Sequence, residues 1–261
     1  GSDPGLRGQW VVIGAHYDHL GMGDEHSLAP NPIGQIHHGA DDNASGTAGV
    51  LELARLASMH PHAFKRSLMF MTFAGEELGL LGSNYFVNHP TVPLDSIISM
   101  INMDMIERVN NMRLNVLGVG TSPDFKPWIE EFNKTVGLQI NFSSGGHDGS
   151  DHISFDGKKI PIMFFFSGLH GDYHRPSDTS DKINSNGAIK VLTLVARSIE
   201  RLANTSKRPE YTVVHEQQPS SASSSASSGN AYSVYFGSIP NFGAEVKGVL
   251  FDDVHADSPA G

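Results

Sequence analysis

The sequence of 261 residues contains no cysteine, which excludes disulfide bonds, thiolate metal sites and cysteine nucleophiles. Basic residues are also scarce, with 18 Lys plus Arg against 28 Asp plus Glu, so the formal net charge is −10. Because such a surface repels phosphate groups, neither nucleic acid nor an anionic membrane is expected as the main partner. Any metal ion must be held by His, Asp and Glu, and the 14 histidines supply many candidates.

Long apolar runs are missing as well. No stretch approaches the roughly 20 consecutive apolar residues that a membrane-spanning helix needs. The first residues also lack the basic and then apolar pattern of a secretory leader. We therefore expect neither a membrane span nor a signal peptide in this chain. The 39% apolar composition is sufficient for one substantial core.

Short apolar segments alternate with amphipathic segments over the first 208 residues. This alternation predicts an α/β fold with a mainly parallel mixed sheet and helices on both faces. In such a sheet, ligands bind beyond the carboxyl ends of the strands. Strands are predicted at 10–15, 67–73, 97–103, 113–117 and 160–166, and helices at 50–57, 80–88, 123–136 and 186–204.

The composition changes after Arg208, which divides the chain into three predicted units. Residues 1–208 form the main domain. Residues 209–230 include the run QQPSSASSSASSG, which cannot bury enough apolar surface to order itself and is predicted to be a flexible linker. Residues 231–261 are too few for a stable core and resemble the first half of a PDZ domain, which predicts a truncated β segment.

Acidic and histidine side chains of the main domain follow the predicted strands. Each has an ordinary structural explanation when taken alone, such as a solvated loop histidine, a helix-capping aspartate or a glutamate favoured by the helix dipole. Their coincidence at successive strand ends instead predicts a single site. These residues are His16, Asp18, Asp41, Asp42, Glu76, Glu77, Asp104 and His174.

Carboxylates and imidazoles without sulfur suit zinc, and Mn²⁺ or Co²⁺ could substitute for it. Two divalent ions carry four positive charges, which three carboxylates and one hydroxide balance. A site with two histidines, two terminal carboxylates and one shared aspartate meets this requirement and leaves one carboxylate as a base. The sequence has no phosphate-binding glycine loop, no GxSxG and no HExxH, which excludes nucleotide-binding, serine-hydrolase and thermolysin-like sites.

Six segments between Gly14 and Thr179 resemble motifs of the di-zinc aminopeptidases related to bacterial leucyl aminopeptidase. In chain order they are GAHYDHLG, GADDNASG, FAGEELGLLGS, NMDM, GSDHISF and DYHRPSDT. The resemblance implies a zinc-exopeptidase fold for residues 1–208, without the N-terminal strand of the relatives. It also implies two Zn²⁺ ions and peptide substrates with free N-termini, and export from the cell is expected because the relatives are commonly exported.

The resemblance further implies a role for each matched residue. One zinc would be held by His16 and Asp104 and the other by Glu77 and His174. Asp41 would bridge the two ions, next to a cis peptide bond between Asp41 and Asp42.

Three further residues receive a catalytic role from the same resemblance. Glu76 would be the general base, and adjacency to a metal ligand would place it within hydrogen-bond reach of the attacking water. Tyr173 would donate to the oxyanion, and Asp18 would orient the His16 imidazole. Outer positions around the ligands, or structural roles, are expected for Asp42, Asp151, His152 and Asp178, and His19 is expected to be solvated or an outer residue.

Three alternatives remain open at the level of sequence. A carboxypeptidase of the same fold would need a cation for the substrate carboxylate, and Arg108, Arg113 or Arg175 could serve. Glutaminyl cyclases share the fold and use one zinc. A non-catalytic binding ectodomain, as in transferrin receptor, would keep the fold and lose ligands, whereas all five proposed ligands and the base are present here. The sequence leaves the oligomeric state and the side-chain preference undetermined.

Overall fold

The computed structural model describes residues 1–23, 25–145 and 149–214, together with the backbone of two short strands at 238–240 and 251–254. The remainder of the predicted linker and of the predicted PDZ-like segment lies outside the described residues. Within the described part of the chain, no helix combines the length and apolarity needed to cross a membrane.

The first 214 residues are built around a six-stranded sheet with the order β2-β1-β3-β6-β4-β5. Strands β1, β2, β3 and β6 are mutually parallel, β4 runs antiparallel to β6, and β5 is parallel to β4. The predicted mainly parallel mixed sheet is therefore confirmed. The strands are β1 Trp10–His16, β2 Ser67–Phe73, β3 Ile97–Asp104, β4 Arg113–Leu117, β5 Gln139–Phe142 and β6 Ile162–Phe166.

Helices cover both faces of this sheet, as predicted. The four predicted helices are present. Among the strands and α-helices described in the first 214 residues, β5 and the five-residue helix α4 were not predicted, because they are too short for a periodic pattern to be recognised. The helices are α1 Gly46–Met59, α2 Leu81–Asn88, α3 Phe125–Val136, α4 His152–Asp156 and α5 Ser185–Asn204, and further along the chain β7 Ser238–Pro240 pairs antiparallel with β8 Phe251–Val254.

The alternation of side chains along β1 produces two cores. Val11 and Ile13 are fully buried in a cluster with residues of α1, α3 and α5. Val12, between them, points to the other face and packs with residues of α2 and α4. All eight residues of β3 are buried, which makes it the centre of the sheet. The carboxyl ends of the four parallel strands are consequently held at one rigid edge.

Candidate metal centre

The segment that follows β1 returns to the sheet edge as a single turn, Ala40–Ser45, immediately before α1. Side chains of the turn fasten it to the end of β3. Asn43 donates from Nδ2 to the carbonyl of Met103 at 3.0 Å. Ser45 accepts the N–H of Ile106 at 3.0 Å. These bonds hold the turn beside Asp104, the last residue of β3.

His16, the last residue of β1, lies at the centre of the first group of side chains. Its Nε2 atom is 3.3 Å from Oδ2 of Asp104, 3.4 Å from Oδ1 of Asp42 and 3.9 Å from Oε2 of Glu76. His16 is almost completely buried, and so are Asp42 and Asp104. Three carboxylates, from the turn before α1, the segment after β2 and the end of β3, thus surround one imidazole nitrogen.

The second group is centred on His174, from the segment that follows β6. Its Nε2 atom is 3.1 Å from Oε2 of Glu77 and 3.3 Å from Oδ2 of Asp42. The two oxygens of Asp42 therefore face different histidines, because Oδ1 faces His16 and Oδ2 faces His174. The Asp42 carboxylate lies between the two groups.

The structure places Asp42, and not the predicted bridging residue Asp41, between the two histidines. Asp41 faces away from both histidines: its Oδ1 accepts the N–H of Glu107 at 2.9 Å, and its Oδ2 is 3.3 Å from Nε2 of His170. The cis peptide bond is likewise Asp42–Asn43 and not Asp41–Asp42. Asp42 has an extended backbone, with φ −104° and ψ 91°, so neighbouring side chains point in opposite directions.

The contacts of Asp18 also differ from the prediction. Nδ1 of His16 is 3.1 Å from the backbone carbonyl of Asp18, whereas the Asp18 carboxylate is 3.8 Å away. The carboxylate instead accepts the backbone N–H groups of Glu76 and Glu77 at 3.2 and 3.3 Å. Asp18 thus orients the imidazole through its main chain and the two glutamates through its side chain.

Tyr173 stacks on His174, with ring centroids 3.9 Å apart. Burial, followed by the nearby carboxylates of Asp42 and Glu77, raises the pKa of the Tyr173 phenol well above its usual range. The hydroxyl is therefore a hydrogen-bond donor at neutral pH.

The remaining predicted outer residues are all buried. Burial raises the pKa of Asp151 to about 7, and its carboxylate in turn contributes to the raised pKa of Glu76. The ring of His152 stacks on Phe164 at 4.2 Å. Asp178 contacts the backbone of the turn that carries Asp42.

Burial and charge strongly perturb the titration of the cluster. Burial, together with the carboxylates of Asp104, Glu77 and Asp151, raises the pKa of Glu76 to about 9. Burial alone would lower the pKa of His174, but Asp42 and Glu77 raise it to about 10. The pKa of His16 is also raised, since Asp104 and Asp42 outweigh its burial. The protonated forms of His16 and His174 thus compensate part of the buried negative charge.

The donor set fits divalent cations. Among the described residues, two groups of three potential ligands have all donor atoms within 4.8 Å of one another: His16 with Asp42 and Glu77, and His16 with Glu76 and Asp104. Two buried oxygens, Oδ1 of Asp104 and Oδ2 of Asp42, make no hydrogen bond, although Oδ2 of Asp42 is 3.3 Å from Nε2 of His174. Buried carboxylate oxygens without hydrogen bonds are costly unless a positive charge compensates them. Oxygen and imidazole donors are those that zinc accepts.

Two supporting contacts of the site were not specified from the sequence, and for His19 the structure favours the expected outer position over the solvated one. The side chain of His19 is only 9% exposed, and its Nδ1 lies 2.8 Å from Oε1 of Glu77. The loop after β1 supports His174, whose Nδ1 is 2.9 Å from the carbonyl of His26 and whose own carbonyl accepts the N–H of Leu28. His174 has a left-handed backbone, with φ 53°, which needs such support in a non-glycine residue. The spacing of three residues between His16 and His19 was the available signal.

The sequence profile described as Peptidase family M28 matches residues 1–199 of this chain, so the match ends before the predicted linker and PDZ-like segment. Among curated proteins, Aminopeptidase YwaD of Bacillus subtilis is 28% identical over 77% of this chain and 42% of its own length. A probable leucine aminopeptidase of Arthroderma benhamiae is 30% identical, over 69% of this chain and 50% of its own length.

Solved structures show the same fold. An aminopeptidase from Aneurinibacillus sp. strain AM-1 superposes with a TM-score of 0.63 at 25% identity, covering 84% of this chain and 48% of the other. BSAP, a zinc aminopeptidase from Bacillus subtilis, superposes with a TM-score of 0.63 at 24% identity, covering 81% of this chain and 51% of the other. This chain spans about half the length of the curated relatives it matches.

Proposed function

The chain belongs to peptidase family M28, and on this basis we propose that it is a zinc-dependent aminopeptidase that removes N-terminal residues from peptides. The observation that carries the proposal is the Asp42 carboxylate, whose oxygens face His16 and His174 at 3.4 and 3.3 Å. Relatives named as aminopeptidases, and one named as a zinc aminopeptidase, support the reaction and the metal.

Five side chains would hold two zinc ions, with Asp42 shared between them. His16 and Asp104 would complete one site, and Glu77 and His174 the other. When bound, the ions supply a Lewis acid for the scissile carbonyl and a water of lowered pKa. Three carboxylates leave one positive charge to be balanced by hydroxide, so the arrangement suits hydrolysis.

Glu76 is the general base in this proposal. Both oxygens of Glu77 are occupied, one by His19 at 2.8 Å and the other by His174 at 3.1 Å. The nearest imidazole nitrogen to Glu76 is that of His16, at 3.9 Å. Burial raises the pKa of Glu76 to about 9 when no cation is bound. Two bound cations would lower this pKa, and the ionised carboxylate would then accept a proton from the attacking water. The same carboxyl then donates this proton to the leaving amine.

Tyr173 and Asp18 support this chemistry. The protonated Tyr173 phenol is a donor for the negative charge that develops on the carbonyl oxygen. Asp18 fixes the backbone of both glutamates, so the base and the ligand keep a constant separation. The chain's own residues thus supply the base, a donor and the ligand frame.

A Glu76→Gln substitution separates the base from the metal ligands. We expect turnover of aminoacyl substrates to fall by at least ~100-fold, as for loss of a general base, while two zinc ions per chain remain bound. Glu200→Gln, on the exposed side of α5, is the matched control and should not change turnover. Loss of zinc in Glu76→Gln, or full activity of the metal-free wild type, would contradict the proposal.

Two measurements would distinguish the proposed aminopeptidase from a carboxypeptidase and from a glutaminyl cyclase. Peptides blocked at the N-terminus should resist hydrolysis and peptides blocked at the C-terminus should not, whereas a carboxypeptidase shows the reverse. One of the cations considered for a carboxypeptidase, Arg108, is already paired with Asp172 and Asp178. A count of one zinc per chain would instead favour a cyclase.

A further inference from the structure

Asp178 is a fully buried carboxylate that contacts the turn carrying Asp42. Its Oδ2 accepts the N–H of Asp41 at 2.9 Å and the N–H of Asp42 at 3.1 Å. Its backbone carbonyl also accepts the N–H of Ala40 at 3.1 Å. One residue therefore holds three consecutive backbone N–H groups of the turn.

Arg108 compensates the buried charge of Asp178. Nη2 of Arg108 lies 2.9 Å from Oδ1 of Asp178, the oxygen that the turn does not use. The Arg108 side chain is only 11% exposed, and its Nη1 lies 3.4 Å from Oδ2 of Asp172. Because Arg108 follows β3 by four residues, this ion pair connects the strand that ends at Asp104 to the turn that carries Asp42.

The geometry of these contacts specifies a carboxylate. An amide in place of Asp178 has one acceptor oxygen and one donor nitrogen, whereas the site presents donors on both sides. Either the two backbone N–H groups or the guanidinium would then face an N–H₂ group. A buried donor without an acceptor is destabilising, so the amide would disturb one of the two sets of contacts. The turn carries adjacent buried carboxylates at Asp41 and Asp42. Because these like charges repel each other, contacts from outside the turn are needed to fix its conformation.

We propose that Asp178, held by Arg108, is the positioning residue that fixes the Asp42 carboxylate between the two histidines. It acts through the backbone of the turn and touches neither substrate nor a ligand atom. This inference rests on the proposed function, in which Asp42 is the shared ligand. Its consequence is that metal affinity depends on a residue outside the ligand set.

The test is the zinc affinity of Asp178→Asn, measured on the full chain by competition with a chelator. We expect about 10- to 100-fold weaker binding, the range for residues that orient metal ligands. The absorption bands of bound Co²⁺ should also change, because they report ligand geometry. Asp172→Asn is the matched control, since Asp172 shares Arg108 but makes no contact with the turn, and it should retain both properties.

The possible results separate this inference from the proposed function. If the wild type binds no zinc, both fail. If the wild type binds two ions and Asp178→Asn binds them equally well with an unchanged Co²⁺ spectrum, only this inference is overturned. If Asp178→Asn does not fold, as judged by circular dichroism, Arg108→Gln replaces it, because that variant keeps the carboxylate on the turn. A several-fold loss of zinc affinity in Arg108→Gln supports the inference, and unchanged affinity overturns it.

Discussion

The neighbouring aspartates Asp41 and Asp42 allow the assignment of the shared ligand to be tested with one chemical change at two positions. Asp→Asn at either position removes one charge and keeps the shape of the side chain. The structure nevertheless predicts opposite outcomes, because only Asp42 faces His16 and His174.

The expected loss for Asp42→Asn follows from its contact with both groups of ligands. The apparent free energy of binding of a zinc ion held by about four protein ligands is ~10–16 kcal/mol, which is roughly 3 kcal/mol per ligand. In the proposed site Asp42 serves both ions, so each should bind about 100-fold more weakly to Asp42→Asn. Hydrolysis at limiting zinc should be lost in parallel.

Asp41→Asn should instead affect stability. His170 accepts the N–H of Asp172 at Nδ1, so its proton is on Nε2 and faces Oδ2 of Asp41 at 3.3 Å. An asparagine that still accepts from Glu107 would turn its own N–H₂ toward that proton. The cost of about 1–3 kcal/mol corresponds to a Tm lower by about 2–12 °C for a domain of this size.

Zinc titration and thermal melting of the two variants, each in the same buffer as the wild type, distinguish the two positions. Weak zinc binding in Asp42→Asn and a lowered Tm with normal zinc binding in Asp41→Asn are expected. The reasoning is refuted if Asp41→Asn loses zinc while Asp42→Asn retains it, because the shared ligand would then be the one the sequence suggested.

Two further predictions concern the histidines. His19→Leu removes the imidazole contact to Glu77 and should weaken zinc binding by about tenfold. His19→Asn keeps a donor at the position of Nδ1 and should bind zinc normally. If the two variants compete equally well with a chelator for zinc, the contact is unimportant. Zinc binding at pH 7 should release at least two protons, because the raised pKa values of His16 and His174 leave both rings protonated in the metal-free protein and zinc takes the neutral form. Glu76, whose pKa is raised to about 9, adds to this number when the bound cations lower its pKa. Affinity should therefore rise with pH, by about tenfold per released proton and pH unit below the pKa of about 10 for His174, and calorimetry in buffers of different ionisation heat should detect the release; binding that is independent of pH would contradict this.

Much of the architecture could be predicted because long apolar or amphipathic segments have only one compatible structure. The run WVVIGA became β1, and the helix predicted at 186–204 begins one residue earlier in the structure. The segments β5 and α4 have four and five residues and lack enough length to show a period. Their positions depend on packing against neighbours that are distant in sequence.

The sequence predicted which segments of the chain form the candidate site, but it predicted the contacts of individual side chains less well. The parallel strands bring His16, Glu77, Asp104 and His174 to one edge, as the motif positions suggested. Which of Asp41 and Asp42 faces the two histidines depends on the backbone torsion angles of a single turn, and these angles cannot be read from the motif GADDNASG. The contacts of Asp18 were likewise not predicted in detail, since its backbone carbonyl faces the His16 imidazole while its carboxylate accepts the N–H of Glu76.

The proposed ligands come from segments spread between residues 16 and 174, and they meet only at the edge of the folded sheet. A partly folded chain therefore lacks the proposed zinc site, and zinc occupancy of that site indicates that the whole domain has folded. A ligand that binds only the native state adds about 2.7 kcal/mol at a hundred times its Kd. The concentration of free zinc would then affect the stability of the folded protein, independently of its turnover rate.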